Sequence, residues 1–165
     1  AKLMGGKERF VKQLQSVFDR GNYDPTNEPN IAYPYLFSYF KGEEWRTQVL
    51  THQLLQTYFK NSPEGLPGND DTGTMSAWAL FSMMGFYPDC PGEPAYTLTS
   101  PVFDKITLHL DEKQWGRDKL VIETQRSNPN AVRIEKIEVG GKPWRQYRIS
   151  HNDLVKAGTL KFTLK

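Results

Sequence analysis

The chain has 165 residues, 38% of them hydrophobic and 24% charged, so it can bury a core and its composition is not that of a disordered segment. The net charge of +2 divides into 8 Lys/Arg against 11 Asp/Glu in residues 1–100 and 13 against 8 in residues 101–165, too weak a basic excess to point to nucleic acid. A single cysteine, Cys90, excludes an internal disulfide and a cysteine-rich zinc site, and no run of 18 apolar residues points to a membrane.

The N-terminal half carries helical spacing. Phe10, Leu14, Val17 and Phe18 form one apolar stripe. "NEPNIAYPYLFSYF" is a second candidate helix, with Pro29 near its start and Pro34 as a kink. "GEEWRTQVLTHQLLQTYF" opens on acidic residues, as a helix start favours, and Trp45, Val49 and Tyr58 mark its expected apolar face. "TMSAWALFSMMGF" is apolar nearly all round, the pattern of a helix buried inside an assembly, with Gly85 near its end.

Past the Pro-rich segment at residues 87–101 the period changes to that of strands. "FDKITLHLD" alternates, and "KLVIETQ", "AVRIEKIEVGGKPWRQYRI" and "TLKFTLK" are further strand candidates, with Gly140-Gly141 as a hairpin turn. "SHNDLVKAG" reads as a short helix capped by Ser150 or Asn152 and stopped by Gly158. The expected class is α+β, with three or four helices followed by four to six antiparallel strands.

Two polar clusters stand at predicted helix entrances. "YDPTNEPN" holds Asp24, Asn27 and Glu28; "GNDDTG" holds Asn69, Asp70 and Asp71. Carboxylate and amide oxygens without His or Cys suit Ca²⁺ rather than zinc, although the spacing is not that of an EF-hand. The plainer reading is that Asp71 caps the helix of Trp78, with Thr72 serving the cap, and that Glu28 meets a helix dipole. The residues by themselves leave both readings open. His52, His109 and His151 are too scattered in sequence to propose a metal triad, and Cys90 sits in a Pro-rich loop without a His nearby in sequence. Aromatics at 13% fit a large core as well as a carbohydrate site.

Three ordered stretches, "TNEPNIAYPYLFSYFKGEEWRTQ", "GLPGNDDTGTMSAWALFSMMGFYPDCPG" and "SPVFDKITLHL", resemble the C-terminal part of glycoside hydrolase family 92, the Ca²⁺-dependent exo-α-mannosidases. The resemblance implies that residues 1–90 are the last helices of an (α/α)6 barrel and residues 91–165 a β-rich C-terminal segment. It implies an inverting mechanism with Asp71 as general base and Asp70 assisting. Asn27 and Glu28 would lie near the calcium, and Asp24 and Asn69 would line the substrate site. The general acid would lie upstream of Ala1, so the partners expected are a mannose-containing glycan and the missing N-terminal part of the same enzyme, with neither nucleic acid nor membrane. The expected location is secreted, periplasmic or at the cell surface. Asp24 and Pro25 stand where many α-1,2-specific members carry His-Glu, which places α-1,2 specificity in doubt. A noncatalytic carbohydrate-binding or interaction module is the alternative from another class.

Overall fold

The computed structural model describes residues 1–26 and 28–165. Helix α1 (Lys7–Asp19) buries Val11 and Leu14 and half-buries the rest of its stripe, Phe10, Val17 and Phe18. The chain leaves it through Gly21, whose φ of +67° suits a residue without a Cβ.

The second expected helix is not an α-helix. Its residues form two 3-10 pieces, Glu28–Asn30 and Tyr33–Tyr39. The reason is Pro34, which has no N–H to give to the Asn30 carbonyl and whose ring would collide with it in an α-turn. The tighter turns still bury Tyr35 and Phe37 completely.

Helix α2 (Glu44–Tyr58) forms as expected but turns a different face inward. Thr47, Gln48, Leu50, Thr51, Leu54 and Leu55 are buried, whereas Trp45 and Val49 are half-buried and Tyr58 is exposed. Buried polar groups are tolerated only when bonded, and these are. Thr47 donates to the Pro34 carbonyl at 2.7 Å, Thr51 to the Thr47 carbonyl at 2.8 Å, and the Gln48 amide oxygen accepts from the Ile134 N–H at 2.8 Å. Trp45 instead lies under the guanidinium groups of Arg46 and Arg133, at 4.7 and 4.3 Å.

Helix α3 (Thr74–Met84) buries Met75, Trp78, Ala79, Ser82 and Met84, while Leu80 stays 59% exposed. It ends at Gly85, where φ is +87° and an added Cβ would sit 2.5 Å from the Pro101 ring. Only glycine meets both demands.

The C-terminal half forms two sheets. Strands β1 (Phe86–Tyr87) and β2 (Ala95–Leu98) come from the Pro-rich segment, and β3 (Lys105–His109) follows. A single-turn helix α4 (Glu112–Trp115), capped by Asp111, leads to β4 (Lys119–Arg126), β5 (Ile134–Val139), β6 (Lys142–Trp144) and β7 (Arg148–Ser150). Helix α5 (His151–Ala157) and β8 (Thr159–Leu164) complete the chain. The smaller sheet has the order β1-β2-β7 and the larger β3-β4-β8-β5-β6.

Eight strands thus replace the four to six expected: β1 and β2 lie outside the strand candidates, and the stretch from residue 131 to 149 divides among β5, β6 and β7. Every pairing is antiparallel except β4 with β8. The last strand slots between β4 and β5, and this central place buries Leu160, Phe162 and Leu164 to no more than 1% exposure. Gly140 and Gly141, at φ +57° and +74°, make the β5–β6 hairpin turn, and Ser150 rather than Asn152 caps α5. No described helix is long and apolar enough to cross a membrane.

A polar junction ties the helices to the smaller sheet. The Asp89 carboxylate, nearly inaccessible, accepts from Thr97 at 2.8 Å and lies 3.5 Å from Arg148. Arg148 also donates to the Tyr39 hydroxyl at 3.1 Å and pairs with Glu93.

Candidate active site

The second polar cluster sits on the turn that opens α3. Asp71, Thr72 and Gly73 all lie in the left-handed region, at φ +47°, +62° and +89°. The turn is closed by the Asp71 carbonyl, which accepts from the Thr74 N–H at 3.3 Å and from the Thr74 hydroxyl at 2.7 Å. The carboxylate that caps the helix belongs to Asp70, not Asp71. One Asp70 oxygen accepts from the Ser76 N–H at 2.8 Å and the other from the Ser76 hydroxyl at 3.0 Å. Asp70 is therefore held by the helix start, with a net value of roughly 1 kcal/mol for such a cap.

Asp71 is exposed, and no described residue donates a hydrogen bond to its carboxylate. The two aspartates divide the two readings between them. Asp70 is the cap, and Asp71 is presented beside the positive end of an 11-residue helix, where an anion is favoured.

Thr72 makes no cap contact; the hydroxyl that closes the turn is that of Thr74. A β-branched residue at φ +62° is strained by about 1–2 kcal/mol, and asparagine takes this conformation more readily. Thr72→Asn is expected to stabilise the protein by about 1 kcal/mol, seen as a higher denaturant midpoint at unchanged slope. An unchanged or lower midpoint would show that the turn needs the threonine.

The first cluster folds against this turn. Asp24 makes an Asx turn, accepting from the Thr26 N–H at 2.9 Å and from the Thr26 hydroxyl at 2.6 Å, and its carbonyl takes the Asn30 amide at 3.2 Å. The Thr26 hydroxyl, followed by its N–H, holds the Asp24 carboxyl below its ordinary value. Thr26 meets Gly68 so closely that a Cβ on Gly68 would lie 2.9 Å from the Thr26 Cβ. Glu28 is exposed, with one oxygen 3.4 Å from the Thr74 hydroxyl.

Below the turn, the Trp78 indole N–H donates to the Ile31 carbonyl at 2.9 Å. The Tyr87 phenol is pushed up to about 12, first by burial and then by the nearby Asp89 and Glu28 carboxylates. The structure thus brings the Asp24–Glu28 turn and the Asp70–Thr74 turn together. Asn69 is exposed on the rim without a described partner, and Asn27 lies outside the described residues.

Among the described residues no group of three or more His, Cys, Asp or Glu side chains is gathered closely enough to hold a metal. The acidic side chains of the two turns, Asp24, Glu28, Asp70 and Asp71, offer only oxygen. Their chemistry fits a hard cation such as Ca²⁺, while Asp70 is already committed to Ser76. Three features escape the sequence reading: the Ser76 lock on Asp70, the Thr74 hydroxyl, and the Trp78 donor. The hydroxyls are visible in "TGTMS", but nothing in that string says which aspartate they serve.

Over its whole length, residues 1–165, the chain matches the glycosyl hydrolase family 92 catalytic domain. It belongs to that family. The chain is similar to a family 92 α-mannosidase from Bacteroides thetaiotaomicron solved in complex with mannoimidazole, at 28% identity and a TM-score of 0.87 over 97% of this chain and 22% of that one. A family 92 inverting mannosidase from the same organism superposes with a TM-score of 0.84 at 28% identity, over 99% of this chain and 25% of that one. A secreted glycosidase of Arthroderma benhamiae is 29% identical over 163 residues, which is 98% of this chain and 21% of the relative. This family 92 chain therefore spans about a fifth to a quarter of the length of these relatives. The helices followed by β-sheets described above agree with the tail of the (α/α) barrel and the C-terminal β region of family 92 structures.

Proposed function

We propose that this chain is the C-terminal part of an exo-α-mannosidase that removes terminal mannose from glycans with inversion, and that Asp71 is its general base. The observation that carries the assignment is the division of labour at the α3 start. Ser76 occupies both oxygens of Asp70, while the Asp71 carboxylate stands exposed beside the Glu28 turn. The similar B. thetaiotaomicron proteins, an α-mannosidase and an inverting mannosidase, support the substrate class and the stereochemistry.

In this reading Asp71 accepts the proton of the water that attacks the anomeric carbon, and a carboxylic acid from the remainder of the enzyme protonates the leaving oxygen. Asp70 fixes the turn through Ser76. Asp24 and Asn69 line the sugar's approach on the two facing turns. Glu28, with Asn27 beside it in sequence, would hold a Ca²⁺, which would supply positive charge at the sugar. Residues 1–90 and 91–165 serve as barrel helices and β-rich segment. Alone, the chain lacks the acid and is inactive. The secreted A. benhamiae relative supports a location outside the cytoplasm.

The test is the anomeric product of the full-length enzyme on an α-mannoside, followed by proton NMR before mutarotation. Release of β-mannose is expected; α-mannose first would overturn inversion, and no hydrolysis of any α-mannoside would overturn the substrate class.

A further inference from the structure

A site divided between two turns works only if the turns are held at a fixed spacing. On the exposed side the 24–31 segment meets the α3 turn through a 3.4 Å approach of Glu28 to a Thr74 hydroxyl already committed to the Asp71 carbonyl. That contact is too long to set a distance. The firm tie is underneath. Trp78, one turn into α3 and 2% exposed, donates its indole N–H to the Ile31 carbonyl at 2.9 Å, and the Ile31 N–H donates in turn to the Glu28 carbonyl at 3.2 Å. Two hydrogen bonds in series thus connect α3 to the backbone of Glu28.

The indole is itself immobilised. Phe59 stacks on it at 5.4 Å and 14°, and Tyr35 meets it edge-on at 6.3 Å. At the rim the opposite device operates. Gly68 has no Cβ, so the Thr26 side chain closes onto its backbone in the space a Cβ would need.

We infer that Trp78 and Gly68 are positioning residues that together set the spacing between the Glu28 turn and the Asp70–Asp71 turn, Trp78 by a directional donor from below and Gly68 by permitting close approach above. To the fit of the packed rings the N–H···O bond adds a directional tie to one backbone atom. The inference rests on the proposed cation-assisted mannosidase reading. Groups that orient metal ligands from behind typically change metal affinity by about 10- to 100-fold when removed.

The experiment uses the full-length enzyme and measures Ca²⁺ binding by titration calorimetry, alongside kcat at saturating Ca²⁺ and thermal stability. Trp78→Phe keeps an aromatic ring and removes the donor. Gly68→Ala moves Thr26 and leaves the indole in place. Leu14→Ala loosens the separate core cluster under α1 and touches neither contact.

Both Trp78→Phe and Gly68→Ala are expected to weaken Ca²⁺ binding by at least about tenfold, with Leu14→Ala less stable but unchanged in affinity. If Trp78→Phe is less stable yet binds Ca²⁺ as the wild type does, the tryptophan is structural only and the inference fails. It fails equally if Leu14→Ala weakens binding as much as Trp78→Phe, since general loss of packing and not the donor would then be responsible. Should Trp78→Phe not fold, Gly68→Ala decides alone, and wild-type affinity there overturns the spacing argument. A wild-type enzyme that hydrolyses mannosides but binds no Ca²⁺ overturns the metal reading first, and this inference with it.

Discussion

Asp71→Asn in the full-length enzyme is expected to lower kcat by at least about 10²-fold, the low end for loss of a general base, with the fold intact. The backbone argument makes this substitution clean. Asp71 lies at φ +47°, a conformation that asparagine shares with aspartate more readily than any other residue with a side chain. The turn is held by the Asp71 carbonyl, which the variant keeps. What it loses is the capacity to take a proton from water.

Asp70→Asn behaves differently. An amide accepts from the Ser76 N–H through its oxygen, but its NH2 can only donate to the Ser76 hydroxyl, so the second bond reverses and both lose the help of the carboxylate's charge. The expected outcome is a loss of stability of about 1 kcal/mol and a smaller loss of turnover. If Asp70→Asn were the inactive variant and Asp71→Asn kept its turnover, the roles of the two aspartates would be exchanged. If both stayed active and were only less stable, the whole turn would be a helix cap and nothing more.

The contrast between these neighbours shows where sequence reasoning stops. The order of helices then strands was legible because it follows from period, and the end of α3 at Gly85 because a left-handed exit needs glycine. The convergence of the two polar clusters was legible only through the family resemblance. Which of two adjacent aspartates faces the helix was not, because it depends on three successive left-handed residues, and neither Asp71 nor Thr72 advertises that conformation. The same limit explains the inward face of α2. Thr47, Gln48 and Thr51 read as a polar flank, yet each finds a partner in the Pro34 carbonyl, the Ile134 N–H or the Thr47 carbonyl. Two of these partners, the Pro34 carbonyl and the Ile134 N–H, lie outside the helix and so outside any local window. The parallel β4–β8 pairing escaped for the same reason, since a strand's neighbours are chosen by the whole sheet.

Exhaustive chelation of the full-length enzyme is expected to reduce mannoside hydrolysis by about 10²-fold or more, and Ca²⁺ to restore it. The acidic side chains carried by the two turns offer carboxylate oxygens, and hard oxygen donors discriminate for Ca²⁺ over the softer zinc. A cation that stabilises charge developing on the sugar contributes several kcal/mol, and each 1.36 kcal/mol is tenfold in rate. The fewer acidic groups the protein gathers, the more the remaining positions depend on backbone carbonyls, water and the sugar's own hydroxyls. Because no three acidic side chains cluster among the described residues, the affinity should be modest and should rise when mannoside is present. Glu28→Gln removes a charge at the exposed rim without touching a buried contact, so it should weaken Ca²⁺ binding while leaving the thermal transition unchanged within about 0.5 kcal/mol. Full activity in a thoroughly chelated sample would rule out the cation's part in catalysis. Zn²⁺ restoring activity better than Ca²⁺ would contradict the oxygen-only donor set.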